Sequence, residues 1–118
     1  MESILTSVKK MLGIEESYTQ FDADIIMCIN GVFQTLNQIG VGPEESFVIE
    51  NADATWGDFL GEQLNKLQAV KPYVYLKVKM LFDPPTSSFV LDSYGRQASE
   101  MEWRLYTQVE NAAKEVQN

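Results

Sequence analysis

The sequence predicts a mainly α fold: a small helical bundle with a short β-hairpin and a long C-terminal helix. Three observations carry that reading. Apolar residues recur at helical spacing in four stretches, Gly or Pro stands at the boundaries between them, and one short segment around Phe47 and Ile49 alternates instead. The chain has 118 residues and 13.4 kDa, the size of one domain spanning 1–118. With 45% apolar and 22% charged residues it can bury a core.

The first helix covers about residues 3–12, with Ile4, Leu5, Val8, Met11 and Leu12 on one face. Gly13 supplies the left-handed residue that ends it, and Ile14 can fold back as a Schellman ending prefers. After a polar connector, a second helix starts near Asp22. Asp22 is placed to cap it, Asp24 suits the positive end of the helix dipole, and Phe21 with Ile26 form a hydrophobic staple. Ile25, Ile29, Val32, Leu36 and Ile39 make its stripe, and Gly40-Val41 repeats the first helix's ending.

Gly42-Pro43 is a turn signal; residues 46–50 then read as a short strand, and 54–56 as its return in a hairpin. Thr55 and Asp58 have capping-box spacing, which predicts one helical turn through Phe59 and Leu60. The third long helix runs from about Glu62 to Phe82 and contains Pro72, where a kink or break is expected. From Tyr73 onward it is apolar on nearly every face, the pattern of a helix surrounded by protein. Asp83-Pro84-Pro85 stops it.

Ser87 or Ser88 caps the last helix, which extends to about Val116. Asp92, Arg96, Glu100 and Arg104 stand four apart in alternating sign, and Glu110 is spaced to pair with Lys114. A helix of about 29 residues is roughly 43 Å long. A globule of this chain length is roughly 35 Å across. The C-terminal helix, 88–116, is therefore expected to project from its own domain, carrying Val109, Ala112, Ala113 and Val116 into the overhang. An apolar stripe on a projecting element requires a partner.

Composition excludes several functions. Seventeen acids against nine bases give a formal charge of −8, the wrong sign for binding phosphates or an anionic membrane surface. There is no His, which removes the commonest general base and metal ligand. A single Cys permits neither an intrachain disulfide nor a Cys-rich zinc site. Residues 1–10 show no signal-peptide pattern, and the densest apolar run, 73–82, is too short to span a bilayer. These features lead us to expect a soluble chain made in the cytoplasm.

The local constellations have structural explanations. Asp22-x-Asp24 lies in a first helical turn, where acids stabilise the dipole. Asn51, Asp53, Thr55 and Glu62 fit positions 1, 3, 5 and 12 of a calcium loop, but Trp56 occupies the position that requires Gly. Glu15-Glu16 and Glu44-Glu45 are solvated loop charges, and Cys28, among Ile25, Ile29 and Val32, is a structural thiol with no His to activate it. No catalytic residue, cofactor or metal ligand is assigned. The aromatic set of Tyr73, Tyr75, Phe82, Tyr94, Trp103 and Tyr106 divides between core and interface. Trp103 and Tyr106 lie on the flank of the last helix's stripe, where aromatics serve as anchors. The interface candidates are Tyr73, Tyr75, Trp103, Tyr106, Val109, Ala113 and Val116.

The order of motifs resembles a known family. Met11-Leu12-Gly13, Phe21-Asp22-x-Asp24-Ile25-Ile26 and Val41-Gly42-Pro43 come first; then Thr55-Trp56-x-Asp58-Phe59-Leu60, and Tyr75-Leu76-Lys77-Val78-Lys79 running into Leu81-Phe82-Asp83-Pro84-Pro85. Over nearly all of residues 3–110 this is similar to the head–tail connector (adaptor) proteins of tailed bacteriophages. That resemblance implies a helical subunit with a small hairpin, located in the virion neck. It assembles, typically as twelve copies, into a ring beneath the portal protein. The ring extends the DNA channel without binding DNA specifically, and a tail-side stopper or completion protein docks on it. Family members grip the portal with C-terminal helical segments; this sequence differs from some in Pro72 and in lacking a basic C-terminal tail. The acidic balance suits a channel wall that repels phosphates. The rival reading is a small acidic protein that mimics DNA and inhibits a nucleic-acid-binding protein, which would need its acids arrayed on one surface.

Overall fold

A computed structural model describes residues 2–117, with side chains described through 113. Its order is α1 (Ile4–Met11), α2 (Asp22–Ile39), α3 (Trp56–Leu60), a 3-10 segment (Gly61–Lys66), α4 (Leu67–Phe82) and α5 (Ser88–Gln117). Helix α1 begins at Ser3, whose Oγ accepts from the Thr6 amide at 3.2 Å. It ends in the anticipated Schellman pattern: the Ile14 amide donates to the Lys9 carbonyl at 2.9 Å and Gly13, at φ 79°, donates to Lys10 at 3.1 Å. Helix α2 likewise ends at Gly40, φ 102°, with the Val41 amide on the Leu36 carbonyl.

One capping assignment changes. Phe21 occupies the N-cap position of α2 and no side chain caps it. Asp22 sits one residue inside, where its carboxylate lies 2.8 Å from the Lys9 ammonium. Lys9 is only 2% exposed and also donates to the carbonyls of Glu16 at 2.9 Å and Tyr18 at 2.7 Å. One buried cation thus gathers the connector 14–21 onto α1. Phe21 turns to Tyr18 and Phe82, with ring centroids 5.7 Å away in each case.

The hairpin is absent: among the described residues the only β pairing is an isolated antiparallel bridge between Ser3 and Thr55. The segment read as a return strand pairs with the N-terminus instead, the Ile4 amide donating to the Ala54 carbonyl and the Trp56 amide to Glu2. The segment around Ile49 finds its partner in a side chain. Asn30 of α2 accepts from the Ile49 amide at 2.8 Å and donates to its carbonyl at 3.0 Å. A carboxamide can take both roles at once, so it supplies what a neighbouring strand would. A two-stranded hairpin adds little stability by itself, and the helix-borne amide replaces it.

The capping box at α3 forms as its spacing predicts, with Thr55 Oγ1 accepting from Asp58 and the Asp58 carboxylate accepting from Thr55. It points Trp56 into the core, fully buried, where Nε1 donates to Ser7 Oγ at 2.9 Å. The long third helix is divided, but not at its proline. Residues 61–66 form a 3-10 segment with a non-helical Gln63 (φ −91°, ψ 20°), and α4 continues through Pro72. Pro72 and Gln68 are both exposed, so the carbonyl that Pro72 leaves without a donor faces water.

The core is one buried cluster. Ile25, Ile29, Val32 and Leu36 of α2 meet Val70, Val74 and Val78 of α4, with Ile4 and Val8 of α1 beside them. Phe33 stacks on Phe59 at 4.2 Å, and Phe47 closes on both rings. After the Asp83-Pro84-Pro85 stop, Ser87 caps α5, which turns back along α4 and buries Ala98 and Leu105. The longest dimension is 49 Å. Tyr75, Leu76, Met80 and Phe82 are only half-buried and Leu81 is exposed, so the C-terminal half of α4 is not enclosed by its own chain.

Candidate interaction surface

Among the described residues no group of three or more His, Cys, Asp or Glu could hold a metal ion. Asn51 and Asp53 of the calcium-loop spacing form a turn, Asn51 Oδ1 accepting from the Asp53 amide at 2.8 Å. The Cys28 thiol is pushed up by burial and by the Asp24 charge, which keeps it protonated and unreactive. Side chains that could act on another molecule are mostly apolar and lie on the outside.

The α2–α5 face carries two exposed aromatics. Trp103 is 65% exposed and Tyr106 is also exposed, their rings 6.0 Å apart and inclined at 30°. With Ile39, Thr35 and Gln38 of α2 they border a shallow depression. Tyr106 donates to Glu110 at 2.9 Å, a bond that raises its phenol above the ordinary range. Thr107 Oγ1 donates to the Trp103 carbonyl one turn back. The Glu110 bond thus orients the Tyr106 ring along its own helix.

The remaining sequence candidates separate by depth. Tyr73 is fully buried; its hydroxyl donates to Glu102 at 2.8 Å, so it ties α4 to α5 inside the subunit. Burial first, then the Glu102 bond and charge, holds its phenol far above the usual range. Tyr75 is half-buried, edge-on to Trp56 at 6.3 Å, and lines an open groove of about 350 Å³ between the end of α1, α4 and α5. Val109 is half-buried over Gly40. Ala113 is exposed, as are 110–112. The side chains of Val116 and Lys114 lie outside the described residues. Of the alternating charges on α5, Arg104 and Glu100 form an ion pair.

Sequence periodicity missed a second apolar end. Phe89 at the start of α5 is 76% exposed, and Leu81 and Phe21 are exposed. Phe89 and Trp103 are fourteen residues apart, which returns a helix to nearly the same azimuth, so both stand on the outward face of α5. That spacing is readable in the sequence, but it does not coincide with the buried stripe.

The helical bundle carries large apolar side chains outward at several places, among them Phe89, Leu81 and Trp103. The family described as phage connector protein matches residues 4–112, which is 109 of the 118 positions. The chain belongs to the phage connector family. No curated protein matches it and no solved structure matches it. Membership gives the chain a structural connector role in the phage particle and interactions with other phage morphogenesis proteins. No helix among the described residues is long and apolar enough to cross a membrane.

Proposed function

We propose that this connector protein is a non-enzymatic virion subunit that assembles into a ring at the head–tail junction, between the portal and the tail-side completion protein, and prolongs the DNA channel. The observation that carries the reading is the outward face of α5 in a chain of this family. Trp103 and Tyr106 stand exposed beside α2, and the helix runs on past Val109 with 110–113 exposed. Exposed aromatics of this size are interface anchors. Trp103 and Tyr106 serve contacts between copies, with Tyr75 lining a further contact surface; Tyr73 supports them from within. The end of α5 from Val109 through Ala113 to Val116 projects and grips the portal. A net charge of −8 spread around a ring disfavours phosphate adhesion, so DNA passes without being held. The DNA-mimic reading is weaker, because α4 carries three lysines and no acid, which breaks any continuous acidic array.

The test is removal of residues 110–118, beyond the contact of Val109 with Gly40. The truncated chain keeps its far-ultraviolet circular dichroism and melting profile but no longer binds portal protein. Portal binding at parental affinity after the truncation overturns the assignment of the grip to this segment.

A further inference from the structure

Charge is segregated along this acidic chain. Residues 43–65 contain six acids and no base, and residues 66–82 contain four lysines and no acid. The acidic stretch holds an apolar point: Val48 is 58% exposed and has Glu44, Glu45 and Glu50, all exposed, around it in the chain. Its position is fixed from behind. Asn30 clamps Ile49, and Asn37 donates to the carbonyls of Pro43 at 2.9 Å and Glu44 at 3.3 Å. These two amides lie seven residues apart on one face of α2 and hold both flanks of the loop. Phe47 is packed against Phe33 and Phe59, and Ser46 takes a left-handed turn at φ 77°. A tip held this way loses little freedom on binding.

The complementary shape is on the same chain. The groove beside Tyr75 has an apolar floor of Met11, Leu76, Tyr94 and Met101 and carries Lys79 on its wall. Lys10 and Lys71 adjoin it in sequence next to Met11 and Pro72. No residue of the loop lines it. Lys71 is paired with Glu2 and Lys79 with Asp83, but these carboxylates are on exposed residues, and such pairs exchange readily for incoming acids. Methionines adapt their shape to an inserted side chain.

We propose that the 43–50 loop of one copy seats Val48 in the Met11–Tyr75–Met101 groove of the next, with Glu44, Glu45 and Glu50 meeting the lysines around the rim. A knob and a groove on different parts of one chain make a head-to-tail contact, the kind that generates a ring when the rotation closes. This contact rests on the ring reading above and names the surfaces that carry it. It joins the Trp103 face as a second, charge-steered region of the interface.

The experiment uses the full chain with Cys28→Ala as background. Chains carrying Val48→Cys are mixed, with portal protein present, with chains carrying Gln97→Cys, which lies on the groove, or Gln38→Cys, which lies beside Trp103; each mixture is oxidised mildly. The 48–97 disulfide dimer is expected at about ten times the yield of the 48–38 dimer or more. Equal yields, or cross-linking of position 48 to portal protein instead, overturn the contact. Val48→Asp, checked for its fold by circular dichroism, is expected to weaken self-association in sedimentation equilibrium by about 10-fold to 100-fold, the loss of one buried Val. Unchanged association overturns the contact and leaves the ring standing. A parent chain that stays monomeric at every concentration and beside the portal overturns both.

Discussion

Gly40→Ala probes the junction between the end of α2 and the last half-buried turn of α5. Gly40 sits at φ 102°, where an L side chain costs about 1 kcal/mol or more. A Cβ there would also lie 2.9 Å from Cγ1 of Val109, well inside van der Waals contact. Overpacking against a stiff β-branched side chain costs about 1–3 kcal/mol. The substitution should therefore destabilise by about 2–4 kcal/mol in all. The two parts separate in a double-mutant cycle. With Val109→Ala the blocking methyl is gone, and Gly40→Ala should cost only the backbone part, about 1 kcal/mol. Urea unfolding of the four chains, with m unchanged, measures this. Equal costs of Gly40→Ala in both backgrounds would mean that Val109 does not rest on Gly40.

Three further predictions follow from the same structure. Asn30→Ala removes both bonds to Ile49 and should cost about 2–3 kcal/mol in urea unfolding, with faster amide exchange at Ile49; an unchanged exchange rate contradicts the clamp. Lys9→Met strips the Asp22 carboxylate and two carbonyls of their shared cation and should cost about 2–4 kcal/mol, tempered because Asp22 is partly exposed; a neutral result contradicts the staple. Tyr73→Phe should cost about 1 kcal/mol at neutral pH. Because the folded state raises the Tyr73 pKa, the unfolded chain loses that proton first. The parent's stability should then fall as pH rises past about 10, by up to ~1.4 kcal/mol per pH unit for this group. The Phe variant should show a shallower decline, and parallel pH profiles would contradict the assignment.

What was legible in the sequence is what neighbours in the chain decide. The endings at Gly13 and Gly40, the Thr55–Asp58 capping box and the Asp83-Pro84-Pro85 stop each depend on a few adjacent residues, and each forms. What was not legible depends on residues far apart. Nothing local in Asn30 says that its amide will replace a strand nineteen positions away, and so the hairpin expected from the alternation at 46–50 does not exist. Lys9 reads as a surface cation, yet folding of the connector buries it and draws Asp22 from its capping role. Pro72 reads as a break, but its exposed position lets the helix pass, and the irregular turn falls upstream at Gln63. Among the aromatics, helical azimuth separates Trp103 from the buried stripe, but Tyr73 is drawn inside by Glu102, a partner on another helix.

The proposed role requires the protein to assemble. Its most direct test is cryo-electron microscopy of the purified chain mixed with portal protein. A closed ring of copies is expected, stacked coaxially on the portal, with the C-terminal ends of α5 against it and the α5 faces bearing Trp103 between subunits. A single copy bound to the portal, or a portal left bare, would contradict it.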